Sequence, residues 1–255
     1  MATTSDKPKK PRAAPKEKVA AKDDAPAQSR FRRILRWVVR GVAGFAGFVL
    51  VLILLYTIIN PPTTLYMLSE GARLGGVEQT WVDADDMAPV VLRSVVAAED
   101  ANFCLHWGFD MAAIRQAVDQ GGRRGASTLS QQVAKNVFLW QGRSWSRKAM
   151  EAMITPVVEV FWSKRRILEV YLNVAEFDEG VFGIEAGAQH YFGVSAANLT
   201  PTQAARLAAV LPDPKGRDAA KPSRFVRNRT SAIMSGAETI RVDGRAACFE
   251  TNTAD

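Results

Sequence analysis

The chain has 255 residues, 47% of them hydrophobic, and a formal net charge of +7, which suits one domain of ordinary size with a full core plus extensions. The charge is unevenly placed: residues 1–40 hold 12 Lys and Arg against 4 Asp and Glu, and the remainder holds 21 against 22. A nucleic-acid-binding domain carries its basic footprint on the folded body; this body is near neutral, so no nucleic-acid partner is expected.

Residues 1–29 are rich in Lys, Ala, Pro and Asp and poor in large apolar side chains. Such a segment cannot supply a core, and a disordered basic tail is expected over residues 1–33. A membrane anchor is expected next, over residues 34–60. Residues 41–60 carry no charge and the uncharged stretch continues to Ser69, whereas a span needs about 20 apolar residues. Arg30, Arg32, Arg33, Arg36 and Arg40 crowd its amino-terminal side, and the first charges beyond it are Glu70 and Arg73. The positive-inside rule then puts the tail in the cytoplasm and the bulk of the chain across the membrane. A cleaved signal peptide is the alternative, but the run exceeds an h-region of about 7 to 15 residues and no small-x-small site precedes Glu70. Arg32 and Arg33 also resemble a twin-arginine export pair, and read more simply as orientation charges. Pro61 and Pro62 close the anchor, and residues 61–85 read as a linker.

From Met87 the pattern becomes helical, with apolar residues at three- and four-residue spacing over residues 112–117, 133–139, 157–161, 167–172 and 204–211. No alternating strand series stands out, although residues 74–83 could form a short ribbon. A mostly α domain is expected over residues 86–237, followed by a C-terminal tail over residues 238–255.

Three motifs carry chemistry. In the first, Glu99 and Asp100 follow Val90, Val91, Leu92, Val95 and Val96. A carboxylate at the mouth of an apolar pocket loses water and its pKa rises toward general-base range; an acidic pair flanking a surface helix is the plain alternative. In the second, GASTLSQQVAKN, Thr128 and Gln131 have capping-box spacing, so a helix should begin near Ser127 or Thr128. Free donors at such a start favour phosphate, and Ser127, Gln131 and Lys135 would share one face suited to an anionic ligand. An ordinary N-cap with a solvated stripe is the alternative. In the third, GRSWSRKAMEAM, Arg143, Arg147 and Lys148 precede Glu151. Arg147 and Glu151 could simply pair at i, i+4. The functional reading makes Glu151 a second carboxylate facing Glu99, with Lys135 and Arg143 between them. Chemistry at a sugar carbon commonly uses two carboxyl groups of different pKa, and adjacent cations suit a departing phosphate.

The strings EDANFCLHWGFD, GASTLSQQVAKNVFLW, GRSWSRKAMEA, SKRRILEVYLNVAEF and GIEAGAQHYFG resemble, in order and spacing, the blocks of the bacterial peptidoglycan glycosyltransferases. With one anchor and one such domain, the chain is most similar to the monofunctional biosynthetic members. The resemblance covers roughly residues 86–229. It implies a lysozyme-like domain behind a single transmembrane helix, polymerising lipid II into β-1,4 glycan strands for the cell wall, at the periplasmic face of the inner membrane. By resemblance Glu99 is the base that deprotonates the acceptor 4-hydroxyl, and undecaprenyl diphosphate leaves with inversion. Ser127, Gln131, Lys135, Arg143 and Glu151 match donor-site positions. Asp100, Phe103, His106, Gly108 and Asn136 match supporting positions, and Glu169, Tyr171 and Asn173 match structural ones. No resident cofactor is implied, although a divalent cation, Mg or Mn, could accompany the diphosphate. The partners implied are lipid II, the growing lipid-linked glycan, the membrane, and division or elongation proteins.

Some features depart from this pattern. Gln116 stands seventeen positions after Glu99, where many members have a basic residue, and Arg115 is turned about 100° away on a helix. Pro156 should kink the third-block helix. Met111, Ile114 and Ala117 could meet lipid, with Ile114 expected in the core. An oxidising compartment permits a disulfide between Cys104 and Cys248, but nothing else in the sequence pairs them and free thiols are expected. His106 and His190 make no zinc cluster of familiar spacing. A membrane-anchored lytic enzyme and a non-catalytic wall-synthesis scaffold are the rival classes; the first would not need Lys135 and Arg143, and the second would not need both Glu99 and Glu151.

Overall fold

A computed structural model describes Met1, residues 27–121, Gly125 and residues 127–250. The basic tail therefore lies outside the described residues up to position 26. From Ala27 the chain is already helical: α1 spans Ala27–Leu55, so the expected disorder does not extend to residue 33. Within it, Arg30–Leu55 contains an 18-residue stretch with a mean hydropathy of 2.5 and is long and apolar enough to cross a membrane. The chain divides into two compact units, Met1–Ala46 and Gly47–Asp255.

In the second unit the end of α1 is part of the packed body. Val49 and Ile53 are buried. The last carbonyls of a helix lack intrahelical partners; here Trp162 Nε1 donates to Ile53 O at 2.8 Å, and in the turn just past the helix Arg166 donates to Tyr56 O at 3.0 Å and Ile59 O at 2.8 Å.

The segment expected as a linker is folded. Thr64 caps α2 (Leu65–Leu74), which ends on Gly75 in the left-handed region. Next, β1 (Glu78–Gln79) pairs in parallel with β3 (Val181–Phe182), which pairs antiparallel with β2 (Glu176–Asp178). A ribbon in the first of these regions was legible from sequence; β2 and β3, at two or three residues each, are too short to show an alternation.

The remaining body is helical. Here α3 (Pro89–Glu99), α9 (Pro201–Val210) and α10 (Arg224–Val242) pack together, while α5 (Leu129–Phe138) packs on α6 (Trp145–Phe161) and α7 (Lys164–Val174). Two further helices, α4 (Met111–Asp119) and α8 (Ile184–Phe192), complete the set. Helix α6 continues through Pro156 to Phe161. Helix α4 buries none of its residues, so Ile114 is half-exposed rather than in the core.

No free tail begins at residue 238. Helix α10 runs to Val242, Phe249 is buried, and Cys248 forms a disulfide with Cys104, Cα to Cα 5.7 Å. This corrects the expectation of free thiols. The two cysteines are 144 residues apart, and only the packing of the C-terminal segment against the turn after α3 brings them within bonding reach.

Candidate active site

Glu99 is the last residue of α3, and Asp100 ends the helix by leaving helical geometry. Asp100 turns inward: one oxygen accepts from Leu129 N at 3.0 Å and the other contacts His106 Nε2 at 2.9 Å. A carboxylate on the first free donor of a helix is favoured both by the hydrogen bond and by the helix dipole. Asp100 therefore docks the start of α5 against the end of α3. The same joint is tightened by Thr128, whose hydroxyl donates to Gly108 O at 2.7 Å. Gly108 has φ +77, and a Cβ there would lie 2.6 Å from Thr155 Cγ2, so no other residue fits. Phe103 is fully buried, with the Lys164 ammonium 4.4 Å from its ring centroid; Lys164 also donates to His106 O at 2.8 Å and to Glu159 at 2.7 Å. His106, its side chain 8% exposed, is a structural histidine. These residues build the floor beneath Glu99.

The docking brings Gln132 to Glu99: its Nε2 donates to Glu99 Oε2 at 2.9 Å. Glu99 opens into a cleft of about 510 Å³, lined also by Gln116, Ser127, Gln132, Arg217 and Arg229. Most of the carboxyl is nevertheless surrounded by protein, and burial raises its pKa; Gln132, Arg229 and Arg217 oppose that rise, and Asp100 adds to it. A carboxylate pushed upward and facing a cleft has the properties of a general base.

Of the second motif, α5 begins as its capping box requires, with Thr128 as N-cap and Gln131 reaching back. The helix start is largely occupied, because three of its donors are already used: Thr128 N bonds Gln131 Oε1, Leu129 N bonds Asp100, and Gln131 N bonds Thr128 Oγ1. Gln131 is buried in this cap and does not line the cleft; its neighbour Gln132 does. Ser127 lies ahead of the helix, at the cleft rim, where Lys148 Nζ donates to it at 3.2 Å. The single face expected for Ser127, Gln131 and Lys135 is therefore not formed. Asn136 is buried and accepts from Gln141 Nε2 at 3.2 Å.

Glu151 is buried and doubly paired. Arg147 Nη1 donates to it at 2.7 Å and Lys148 Nζ closes on its other oxygen. Arg147 is fixed in turn by donating to Gly142 O at 2.8 Å. This is the i, i+4 pairing that the spacing allowed, extended to a triad. A carboxylate so engaged holds its two cations in fixed positions. Arg143, Trp145, Arg147 and Lys148 line a shallow pocket of about 260 Å³. Lys135 lies within the field of both carboxylates. Burial lowers its pKa, Arg147 and Lys148 lower it further, and Glu151 and Glu99 raise it.

Three residues escaped the sequence reading: Gln132, Arg217 and Arg229. The capping-box spacing could have found the first, since it commits Gln131 to the cap and leaves Gln132 one step around the helix. The arginines lie 118 and 130 positions after Glu99, and no local spacing points to them. Arg217 is held by Ala209 O at 2.8 Å and lies 5.0 Å from the ring centroid of Phe225; Arg229 donates to Ala98 O at 3.2 Å, next to Glu99.

The sequence model of the transglycosylase family matches residues 69–238, and so begins within α2. The chain is 63% identical over 214 residues to the biosynthetic peptidoglycan transglycosylase of Jannaschia sp. (strain CCS1), covering 84% of this chain and 90% of that one. It is 49% identical over 229 residues to the protein of that name from Xanthomonas oryzae pv. oryzae, covering 86% and 94%. For the one from Caulobacter vibrioides the figures are 48% over 202 residues, covering 78% and 88%.

Proposed function

The chain belongs to the biosynthetic peptidoglycan transglycosylase family, and from that premise we propose how its residues share the work of joining lipid II units into β-1,4 glycan strands. The observation that carries the assignment is Glu99: a carboxyl with a raised pKa, oriented by an amide and open to a cleft flanked by cations. Glu99 takes the proton of the acceptor 4-hydroxyl. The oxygen attacks the anomeric carbon of the growing chain, and the bond to undecaprenyl diphosphate breaks with inversion. Lys135, Arg143 and Lys148 stand where a departing diphosphate would be stabilised, and fixed charges of this kind act most strongly where water is limited. Glu151 holds Arg147 and Lys148 in place. Arg217 and Arg229 supply a second positive group beside the base, which suits a reaction in which both partners carry a diphosphate. Ser127 lies at the rim between the two groups.

A divalent cation has no evident protein site. Among the described residues no group of three or more His, Cys, Asp or Glu stands together to hold a metal ion, and Glu151 is committed to Arg147 and Lys148. A cation carried in on the diphosphate would need no such cluster.

The proposed setting is the inner membrane, with the amino terminus cytoplasmic and the domain periplasmic. The apolar α1 and the disulfide, which persists in an oxidising compartment, both support it. So does α6, whose outer face exposes Met153, Val160 and Phe161 at helical spacing, with Trp145 91% exposed at its start. An apolar stripe of this kind is unusual on a surface bathed only by water and suits immersion beside a lipid substrate.

The decisive test is incubation of the detergent-solubilised chain with labelled lipid II alone, followed by gel separation and lysozyme digestion. Lysozyme-sensitive polymer is the expected product. Unchanged lipid II together with cleavage of preformed glycan would replace this reading with a lytic one.

A further inference from the structure

Behind Gln132 lies Tyr171 of α7, 2% exposed. Its hydroxyl reaches Gln132 Oε1 at 3.3 Å, while Nε2 of the same carboxamide donates to Glu99 Oε2 at 2.9 Å. A carboxamide has one accepting end and one donating end. A hydroxyl that donates to the accepting end therefore decides which end meets the base. We propose that Tyr171 is a positioning residue for the reaction: acting through Gln132, it keeps a hydrogen-bond donor turned toward Glu99 and so favours the ionised base.

The proposal rests on the reading of Glu99 as the base. Burial and the charge of Glu99 hold the Tyr171 hydroxyl well above its ordinary pKa, so it remains a donor across the working pH range. Without it the carboxamide is free to turn, and an Oε1 facing Glu99 disfavours the carboxylate and stabilises the acid. The other groups acting on Glu99 stay in place: Asp100 at the end of α3, Arg217 from the loop after α9, Arg229 from α10 and Lys135 from α5. Removing the hydroxyl thus changes one interaction in a fixed electrostatic setting, and its direction is defined. The Glu99 pKa rises, and the acidic limb of the pH profile moves to higher pH.

The test is lipid II polymerisation by the full chain in detergent, with kcat and KM measured across pH for the wild type, Tyr171→Phe, Gln132→Met, the double variant and Glu99→Gln. Tyr171 touches no substrate, so KM should stay within about twofold while kcat falls by up to about threefold on the acidic limb and by less at neutral pH. The acidic limb of kcat/KM should move up by roughly half a pH unit. Gln132→Met should displace the limb in the same direction, and adding Tyr171→Phe to it should displace it no further, since the tyrosine acts only through the amide. A Tyr171→Phe limb superimposable on that of the wild type overturns the proposal even if the rate drops, because a purely structural tyrosine would lower the rate and leave the limb in place. A Gln132→Met limb that stays in place overturns it as well, whatever the folding of the Phe variant. Turnover retained by Glu99→Gln would instead remove the base assignment, a failure distinct from either.

Discussion

Two glutamates, Glu99 and Glu151, are sequestered in the same domain and treated in opposite ways. Glu151 is met by Arg147 and Lys148, so its charge is compensated where it stands. Glu99 receives one hydrogen bond from a neutral amide, and the arginines in its field, Arg217 and Arg229, bond elsewhere, to Ala209 O and Ala98 O. Burial therefore dominates at Glu99 and its pKa rises. A carboxylate that the fold leaves under-compensated can accept a proton during turnover, whereas one saturated by cations serves to hold those cations still. The contrast supports the two roles proposed for them more firmly than proximity to the cleft would.

Replacing Glu99, the proposed base, should give the largest effect and separate activity from stability. Glu99→Gln should lower polymerisation by at least about a hundredfold, the scale of general-base catalysis, in a gel assay with labelled lipid II. The same variant should melt at a higher temperature. A carboxyl whose folded pKa lies above its unfolded value binds more protons folded than unfolded between those two values; stability is lost as pH rises through that window, and at neutral pH the charge is a net cost. Glutamine removes the cost. Calorimetry at pH 7 showing a fall in Tm would mean that Glu99 is a compensated structural carboxylate like Glu151.

Glu151→Gln should have the reverse signature. Arg147 would be left buried beside a neutral amide, so stability should fall by about 2 kcal/mol, less than for a fully buried pair because Lys148 is partly solvated. Turnover should drop by about tenfold as the cations lose their fixed positions. Retention of full stability would show that the triad does not hold the start of α6. A smaller and cleaner effect is expected at Arg143, which is exposed and enters no ion pair among the described residues. Arg143→Ala should leave Tm within about a degree or two and lower kcat/KM by about threefold through loss of one charge proposed to face the diphosphate.

The sequence made Glu99 visible because an apolar run ending in a carboxylate is a local pattern, and it made the α5 start visible because a capping box is one as well. Phase on a helix was harder to read. Gln131 and Gln132 differ by about 100°, and only the cap shows which of them is free to face the base. Arg217 and Arg229 were invisible because the packing of α3, α9 and α10, not any spacing, brings them to Glu99. The linker and tail readings failed for a related reason. Residues 65–82 and 243–250 are too short to enclose a core of their own, and they fold by docking on one supplied elsewhere. Met67 and Phe249 show this, each buried against the main body.

The disulfide gives the smallest expected effect on turnover and tests that docking directly. It joins the turn carrying Phe103 and His106, beneath Glu99, to the C-terminal segment. Arg93 and Arg165 hold the same segment by bonding Glu250 at 3.0 Å and Phe249 O at 2.6 Å, so the segment does not depend on the cysteines alone. Cys248→Ser should lower stability by about 2–5 kcal/mol, each kcal/mol being worth about 2–4 °C in a domain of this size. Activity at a temperature well below that transition should change by less than about twofold, because Asp100, Thr128 and Gly108 fix the base through bonds that the disulfide does not share. A much larger loss of activity at unchanged Tm would mean that the C-terminal segment, and not the joint between α3 and α5, sets the position of Glu99.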